Sequence, residues 1–195
     1  QFHRVAVGDH LLLGGDNLDL ALAHLVERKL TNGSRLDPRQ WSMLIPACRH
    51  AKEILLGATA PETYTVVISG SGSRLIGGAM QAEIARDEVL QLFVEGFLPA
   101  CTLNERPQKR QSGFQEFGLP YAADPAITKY LATFLQTHMR DSDAGSRPDI
   151  VLFNGGFFAS PVLRARLSEM LERWYRPNDA QWSPVELRND RLDLA

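Results

Sequence analysis

The sequence predicts an α/β fold in two parts, a larger α/β subdomain with a smaller α+β subdomain inserted in it. Three observations point there. Two stretches, His10-Leu11-Leu12-Leu13-Gly14-Gly15-Asp16 and Asp149-Ile150-Val151-Leu152-Phe153-Asn154-Gly155-Gly156-Phe157, run from apolar residues through a glycine pair toward an amphipathic helix. Residues 149–153 read as one continuous apolar strand, the pattern of a strand buried on both faces. Between the two turns, Thr63–Ser69, Ser73–Ile76 and Met80–Ile84 read as a small antiparallel meander turning at Gly70-Ser71-Gly72. The expected boundaries are 1–13 for a strand or hairpin arm of the larger subdomain, 14–85 for the small one and 86–195 for the rest.

Taken in order, residues 3–13 alternate and then turn apolar, as a strand or hairpin arm does. Asp16 reads as a helix N-cap with Asp19 in the first turn, and Leu18, Leu22, Leu25 and Val26 place a helix over 17–30. Asn32-Gly33-Ser34 ends it. Asp37-Pro38 opens a second helix whose inward face is Leu44, Ala47, Cys48, Ala51 and Leu55. Pro46 lacks an N–H and is expected to kink or divide that helix, and Gly57 to close it. After the meander, 86–98 read as a helix with Val89, Leu92, Phe93 and Gly96 inward. A loop or insertion is expected at about 100–124, where Pro107, Lys109, Arg110 and Gly113 fall in one run. Residues 125–138 are helical again through Ile127, Tyr130, Leu131, Phe134 and Leu135, and 141–148 form a polar linker. Ser160-Pro161 is an N-cap followed by Pro at the first helical position, and Leu163, Leu167, Met170, Leu171 and Trp174 mark the helix face beyond it. Residues 176–190 read as a loop, with a new element near Leu192.

Composition bounds the function classes. The 195 residues are 44% hydrophobic and 23% charged, with a net charge of −2, so nothing global favours nucleic acid or an anionic membrane as partner. No apolar run approaches a membrane span. Two cysteines, Cys48 and Cys101, are too few for a disulfide framework, and a reducing cytoplasm is the expectation. Cys48 reads as a small core hydrophobe and His50 as a helix-surface residue. The five histidines sit at no metal-ligand spacing, and no metal site is expected. Gln1 at the start and the abrupt stop at Leu194-Ala195 give the expectation of a domain cut from a longer protein.

The glycine turns carry the chemistry. A glycine pair at a strand-to-helix turn permits positive φ and close approach of a ligand. The helix that follows offers free N–H groups and its positive dipole end to an anion. Two such turns predict a nucleotide clamp. The second stands at the carboxyl end of a buried strand, where open α/β sheets place ligands.

Four segments resemble the 70-kilodalton heat-shock chaperones, in the family's own order. Leu13-Gly14-Gly15-Asp16-Asn17-Leu18-Asp19 resembles the family's LGGEDFD, and Ala47–Leu55 (ACRHAKEIL) resembles ACERAKRTL. Asp149–Pro161 (DIVLFNGGFFASP) resembles DIVLVGGSTRIP, and Leu192-Asp193-Leu194-Ala195 resembles the start of PDEAVAYGAA. The matches cover most of the chain outside about 100–145. The resemblance implies the second lobe of an actin-like ATPase domain, with a ribonuclease H-like fold and the small α+β subdomain inserted. It implies binding of ATP or ADP, with Mg2+ in the intact parent. Gly14 and Gly15 would approach ribose and phosphates, Gly155, Gly156 and Phe157 would line the phosphate and adenosine floor, and Asp193 would lie near the nucleoside. Arg49, Lys52, Glu53 and Leu56 occupy the family's adenosine-contact positions, and their i, i+3, i+4, i+7 spacing puts them on one helix face.

The sequence departs from the family at several of these positions. Arg49 replaces an acid, Glu53 a base and Leu56 a serine; Phe157 and Ala159 replace a serine and the arginine that stacks on the base, leaving Phe157 or Phe158 as stacking substitutes or core filler. Lys52 and Glu53 also read as a solvated helix face, and Arg49 with Glu53 as an i,i+4 ion pair. The family's first phosphate loop, catalytic lysine and metal-linked aspartates belong upstream, so this fragment is not expected to hydrolyse ATP or to bind it tightly. Three functions follow as expectations. The first is part of the ATP-binding domain of a stress-response chaperone. Its partners would be the first lobe of the same protein, a nucleotide exchange factor on the small subdomain, and unfolded clients through other domains. The second is an actin-fold nucleotide sensor or scaffold with a degenerate site. The third is another actin-like ATPase such as a sugar kinase, against which the motifs around Gly14 and Cys48 speak.

Overall fold

In the computed structural model the described residues are 4, 6–70, 78–108, 124–138, 147–177 and 179–189. They form a mixed α/β structure of five helices and two small sheets. The chain divides into two units, Gly14–Phe93 and Gln1–Leu13 with Val94–Ala195.

The Gly14–Phe93 unit opens with α1 (Gly15–Thr31) and α2 (Pro38–Leu55). Gly14, not Asp16, takes the N-cap position of α1. Asn17 replaces the missing cap side chain: its Oδ1 accepts the Gly14 N–H at 2.7 Å, while its own N–H donates to Gly14 O at 3.1 Å. Asp16 is thereby moved into the first turn, where its charge faces the positive end of the helix. Asn32, at φ 51°, ends α1 in the left-handed region that Asn tolerates. Asp37 and Gln40 cap α2 reciprocally, at 2.8 and 3.2 Å, with Pro38 in the first turn. The expected division at Pro46 does not occur, and α2 runs unbroken. Its apolar face, Leu44, Cys48, Ala51 and Leu55, is fully buried on both sides of an exposed Pro46, so packing outweighs the lost backbone bond. Leu56, rather than Gly57, is the C-cap.

β1 (Thr63–Ser69) pairs antiparallel with β2 (Ala79–Ala85), from Thr63↔Ala85 to Ser69↔Ala79. Alternation puts Val66, Ile68, Ala82 and Ile84 inward, with α2 against β1 and α1 against β2. The Gly70 N–H donates to Gly78 O at 3.0 Å, and a Cβ on Gly70 would stand 2.1 Å from that oxygen, so only glycine fits. The expected strand at Ser73–Ile76 lies outside the described residues. α3 (Arg86–Phe97) follows, and the division between the units falls within it.

In the second unit, α4 (Ile127–His138) and α5 (Pro161–Tyr175) build the core. Ala132, Leu135, Met170, Leu171, Trp174 and Tyr175 cluster with Cys101 and Trp182, and the Trp174 indole donates to Cys101 O at 2.8 Å. Asp124 sets the start of α4 by accepting from the N–H groups of Gln108 and Ala126 and from Lys129 Nζ, at 2.9–3.1 Å. The buried residues of α4 are Thr128, Ala132, Leu135 and Gln136. The expected inward residues Ile127, Tyr130, Leu131 and Phe134 are half-buried and line a cavity of about 430 Å³ with Val7–Asp9 and Leu11. Residues 6–13 belong to no helix or strand, so the expected strand arm is not formed there. β3 is shorter than the apolar run suggests, Ile150–Leu152, and it is not buried on both faces. It pairs in parallel with β4 (Val185–Leu187), within a stretch expected to be loop. Val151 packs on the core, while Ile150, Leu152, Val185 and Leu187 share the opposite face and are 42–59% exposed. The strand is apolar, but among the described residues only one layer covers it.

Trp174→Phe keeps the ring packing and orphans a buried carbonyl. It is expected to lower stability by about 1–3 kcal/mol in urea unfolding followed by fluorescence of the other tryptophans.

Candidate functional site

The first glycine turn lies entirely within the Gly14–Phe93 unit. Gly14 is extended, with φ −153°, so this turn does not use the positive φ a glycine pair permits. The glycines supply room instead. A Cβ on Gly14 would meet nothing within 4 Å, and one on Gly15 only the Lys52 ammonium, at 3.5 Å.

Two cations reach the turn from α2. Lys52 Nζ donates to Gly15 O at 3.1 Å and stands 2.5 Å from Asp19 Oδ1. Arg49 Nε donates to Asp19 Oδ2, and its Nη2 to Asp16 Oδ1, each at 2.8 Å. The Asp19 side chain is 1% exposed, that of Lys52 12% and that of Arg49 51%. Oδ1 of Asp19 accepts no well-directed hydrogen bond, so the adjacent ammonium compensates it by charge. Hydrogen bonding to Asp19, then its charge and that of Asp16, raises the pKa of the Arg49 guanidinium further. Lys52 is therefore no solvated surface lysine, and Arg49 pairs across to α1. Glu53 is exposed, and Leu56 is buried in the core.

The second turn follows β3. Gly155 has φ +81° and ψ 159°, a region essentially restricted to glycine. Its N–H donates to Asn154 Oδ1 at 2.8 Å, and its carbonyl accepts from the Phe158 N–H at 3.1 Å. A 3-10 turn, Gly156–Ala159, stands between the glycine pair and α5, so the helix is set back from the pair. Phe157 is buried with its edge toward Phe97, ring centroids 6.4 Å apart. Phe158 packs on Phe153 and Phe157 at 4.9 and 5.0 Å and is only half-buried. Of the two candidate stacking rings, Phe157 fills the core and Phe158 keeps accessible surface. Asp193 lies outside the described residues.

Sequence reasoning assigned Asp16 to the helix N-cap and Asp19 to the first turn. Their role as partners of Arg49 and Lys52 was unsignalled, because the pairing spans 30 residues or more. The i,i+3 spacing in both pairs, Asp16/Asp19 and Arg49/Lys52, is the one feature that matches them in advance. Among the described residues no group of His, Cys, Asp and Glu is arranged to hold a metal ion, and no helix is long and apolar enough to cross a membrane. No protein-family model and no curated protein sequence matches the chain.

Lys52→Met leaves Asp19 buried with Arg49 alone. Breaking a buried pair costs up to about 3–5 kcal/mol, and urea unfolding read by circular dichroism is expected to show a loss approaching that range. A change under about 0.5 kcal/mol, typical of a surface site, would contradict the buried pair. Cys48 gives a pH test. Burial first, then the Asp19 charge, pushes its thiol up to about 12, against an ordinary value of 9.0. The folded state keeps the proton that the unfolded chain releases, so this stabilisation is complete below pH 9 and is lost as pH rises from there through about 12. The urea midpoint is expected to fall between pH 9 and about 11 more steeply in the unaltered chain than in Cys48→Ala; parallel falls would count against it.

Proposed function

We propose that this chain is part of the ATP-binding domain of a heat-shock-70-like chaperone, the second lobe of an actin-like ATPase domain, contributing the adenosine side. One observation carries the reading: Arg49 and Lys52, at adenosine-contact positions of the resemblance, are held by a buried carboxylate at a glycine turn that opens a helix. The glycine-only conformation of Gly155 supports it. So does the open space beside Gly14 and Gly156, where backbone is accessible to a ligand. Gly14, Gly15, Arg49 and Lys52 are the contacts proposed for the first turn; Gly155, Gly156 and the accessible ring of Phe158 are those proposed for the second turn. Mg2+ accompanying ATP would find its ligands elsewhere in the intact protein. There the first lobe, an exchange factor and client proteins would be the partners, in the cytoplasm.

A second reading is an actin-fold nucleotide sensor or scaffold that no longer hydrolyses. The burial of Leu56 and Phe157 favours it, because both positions have lost the polar groups that the resemblance would bring to the nucleotide. ATP turnover and ADP binding by the intact parent, with and without Gly156→Asp, where a side chain meets nothing within 4 Å, separate the two. A chaperone ATPase is expected to turn over ATP and to lose that turnover in the variant. ADP binding without turnover selects the sensor, and neither binding nor turnover overturns the nucleotide reading. Calorimetric titration of the present chain with ADP is expected to show weak binding or none; submicromolar affinity would contradict a half-site.

A further inference from the structure

The second glycine turn opens on an Asn-Gly pair, Asn154-Gly155, and the sequence has one other, Asn32-Gly33. An asparagine followed by glycine can lose its side-chain amide without an enzyme. The backbone nitrogen of the glycine attacks the side-chain carbonyl carbon, and glycine, with no Cβ, leaves that nitrogen open to approach. The reaction needs both atoms on the same side of the asparagine Cα–C bond, held close to the attack geometry.

The two pairs differ in this respect. At Asn154 the side chain is folded back on the next residue, and its Oδ1 accepts the Gly155 N–H at 2.8 Å. The carbonyl carbon is one bond from that oxygen, so rotation about the last side-chain torsion turns it toward the nitrogen. Asn154 is exposed, and a Cβ on Gly155 or Gly156 would meet nothing within 4 Å, so a new ring and an attacking water have room. Asn32 is exposed as well, but its backbone is left-handed, with φ 51° and ψ 37°. In an L-residue that ψ sets the following nitrogen nearly opposite Cβ about the Cα–C bond, out of reach of the side-chain carbon. Two bonds across the turn hold this conformation: the Ser34 N–H donates to Thr31 O at 3.2 Å and the Thr31 hydroxyl to Ser34 O at 2.6 Å. The two pairs are equivalent as sequence, and the backbone separates them.

We propose that Asn154 is a site of spontaneous deamidation through the Gly155 nitrogen, and that the fold protects Asn32 from the same reaction. The Gly155 nitrogen gives its proton to solvent and bonds to Asn154 Cγ; the Cγ–Nδ2 bond breaks and ammonia leaves, giving a succinimide. Water then opens the ring. Addition at Cγ leaves aspartate on an unchanged main chain. Addition at the backbone carbonyl carbon leaves isoaspartate, with the main chain routed through the former side chain. Nothing is oxidised or reduced, and water is the only co-reactant. Either product puts a carboxylate at the turn, and isoaspartate lengthens the backbone by one carbon just before Gly155, whose φ is +81°. The inference is independent of the nucleotide reading, since it needs only this chain and water.

The full chain is incubated at mildly alkaline pH in ¹⁸O-labelled water, folded and in parallel in guanidinium chloride, and its peptides are followed by chromatography and mass spectrometry. Conversion replaces the amide nitrogen by labelled oxygen, and the aspartate and isoaspartate peptides separate. In the folded chain the Asn154 peptide is expected to convert at least about fivefold faster than the Asn32 peptide. In denaturant, where neither backbone is held, the two rates are expected to converge. Equal folded-state rates, or a faster rate at Asn32, overturn the proposal. A difference that persists unchanged in denaturant also overturns it, because neighbouring sequence and not the fold would then decide. Asn154→Gln, whose longer side chain needs a larger ring, is expected to leave its peptide unconverted; label gained there at the unaltered rate overturns the assignment to Asn154.

Discussion

A carboxylate removed from water has to be neutralised where it stands, and in the Gly14–Phe93 unit that requirement falls on Asp19. Its two partners come from one helix and lie three residues apart, as do Asp16 and Asp19 on the other. The two charge pairs match only if α1 and α2 pack at one particular register. Slipping either helix by a turn would leave Asp19 buried beside an apolar surface, at a cost no surface ion pair incurs. The register in turn decides how the buried faces of α1 and α2 meet, and it brings Lys52 to the Gly15 carbonyl. Apolar packing supplies the bulk of the stabilisation, and the ion cluster specifies which of several apolar alignments is used.

Periodicity and capping chemistry made the helices legible. Asp37 marks the start of α2 by a cap that acts within four residues, Pro161 stands in the first turn of α5, and Leu163, Leu167, Met170, Leu171 and Trp174 lie in the core as their spacing requires. Where the reading failed, packing, pairing or a neighbouring side chain decided. Pro46 penalises a helix locally, but four fully buried residues flanking it keep α2 unbroken. Asp16 is the better intrinsic cap, but Asn17 serves by turning its amide back on Gly14. β4 was invisible because Val185-Glu186-Leu187 is too short to show a period, and it exists through pairing with β3.

The two glycine turns look alike in sequence and differ in physics. At Gly155 the backbone enters a region that other residues avoid, so the glycine is needed for the conformation itself. At Gly14 and Gly15 the backbone is ordinary, and the absent side chains matter for the space they leave beside Lys52 and the end of α1. Asp at Gly155 would therefore strain the chain regardless of ligand, whereas a side chain at Gly15 would meet the ammonium and leave the fold intact.

That difference bears on how far a fold-level resemblance carries function. Groups that only permit approach, the glycines and the helix ends, are present in both units. Groups that recognise a ligand are partly withdrawn: Leu56 and Phe157 are buried, and the charge of Arg49 and Lys52 is answered internally by Asp16 and Asp19. Under the proposed nucleotide reading, recognition at the first turn would depend on donors whose charge is already compensated. On that reading, such a site would gain little from long-range attraction and would discriminate mainly by fit and hydrogen bonding.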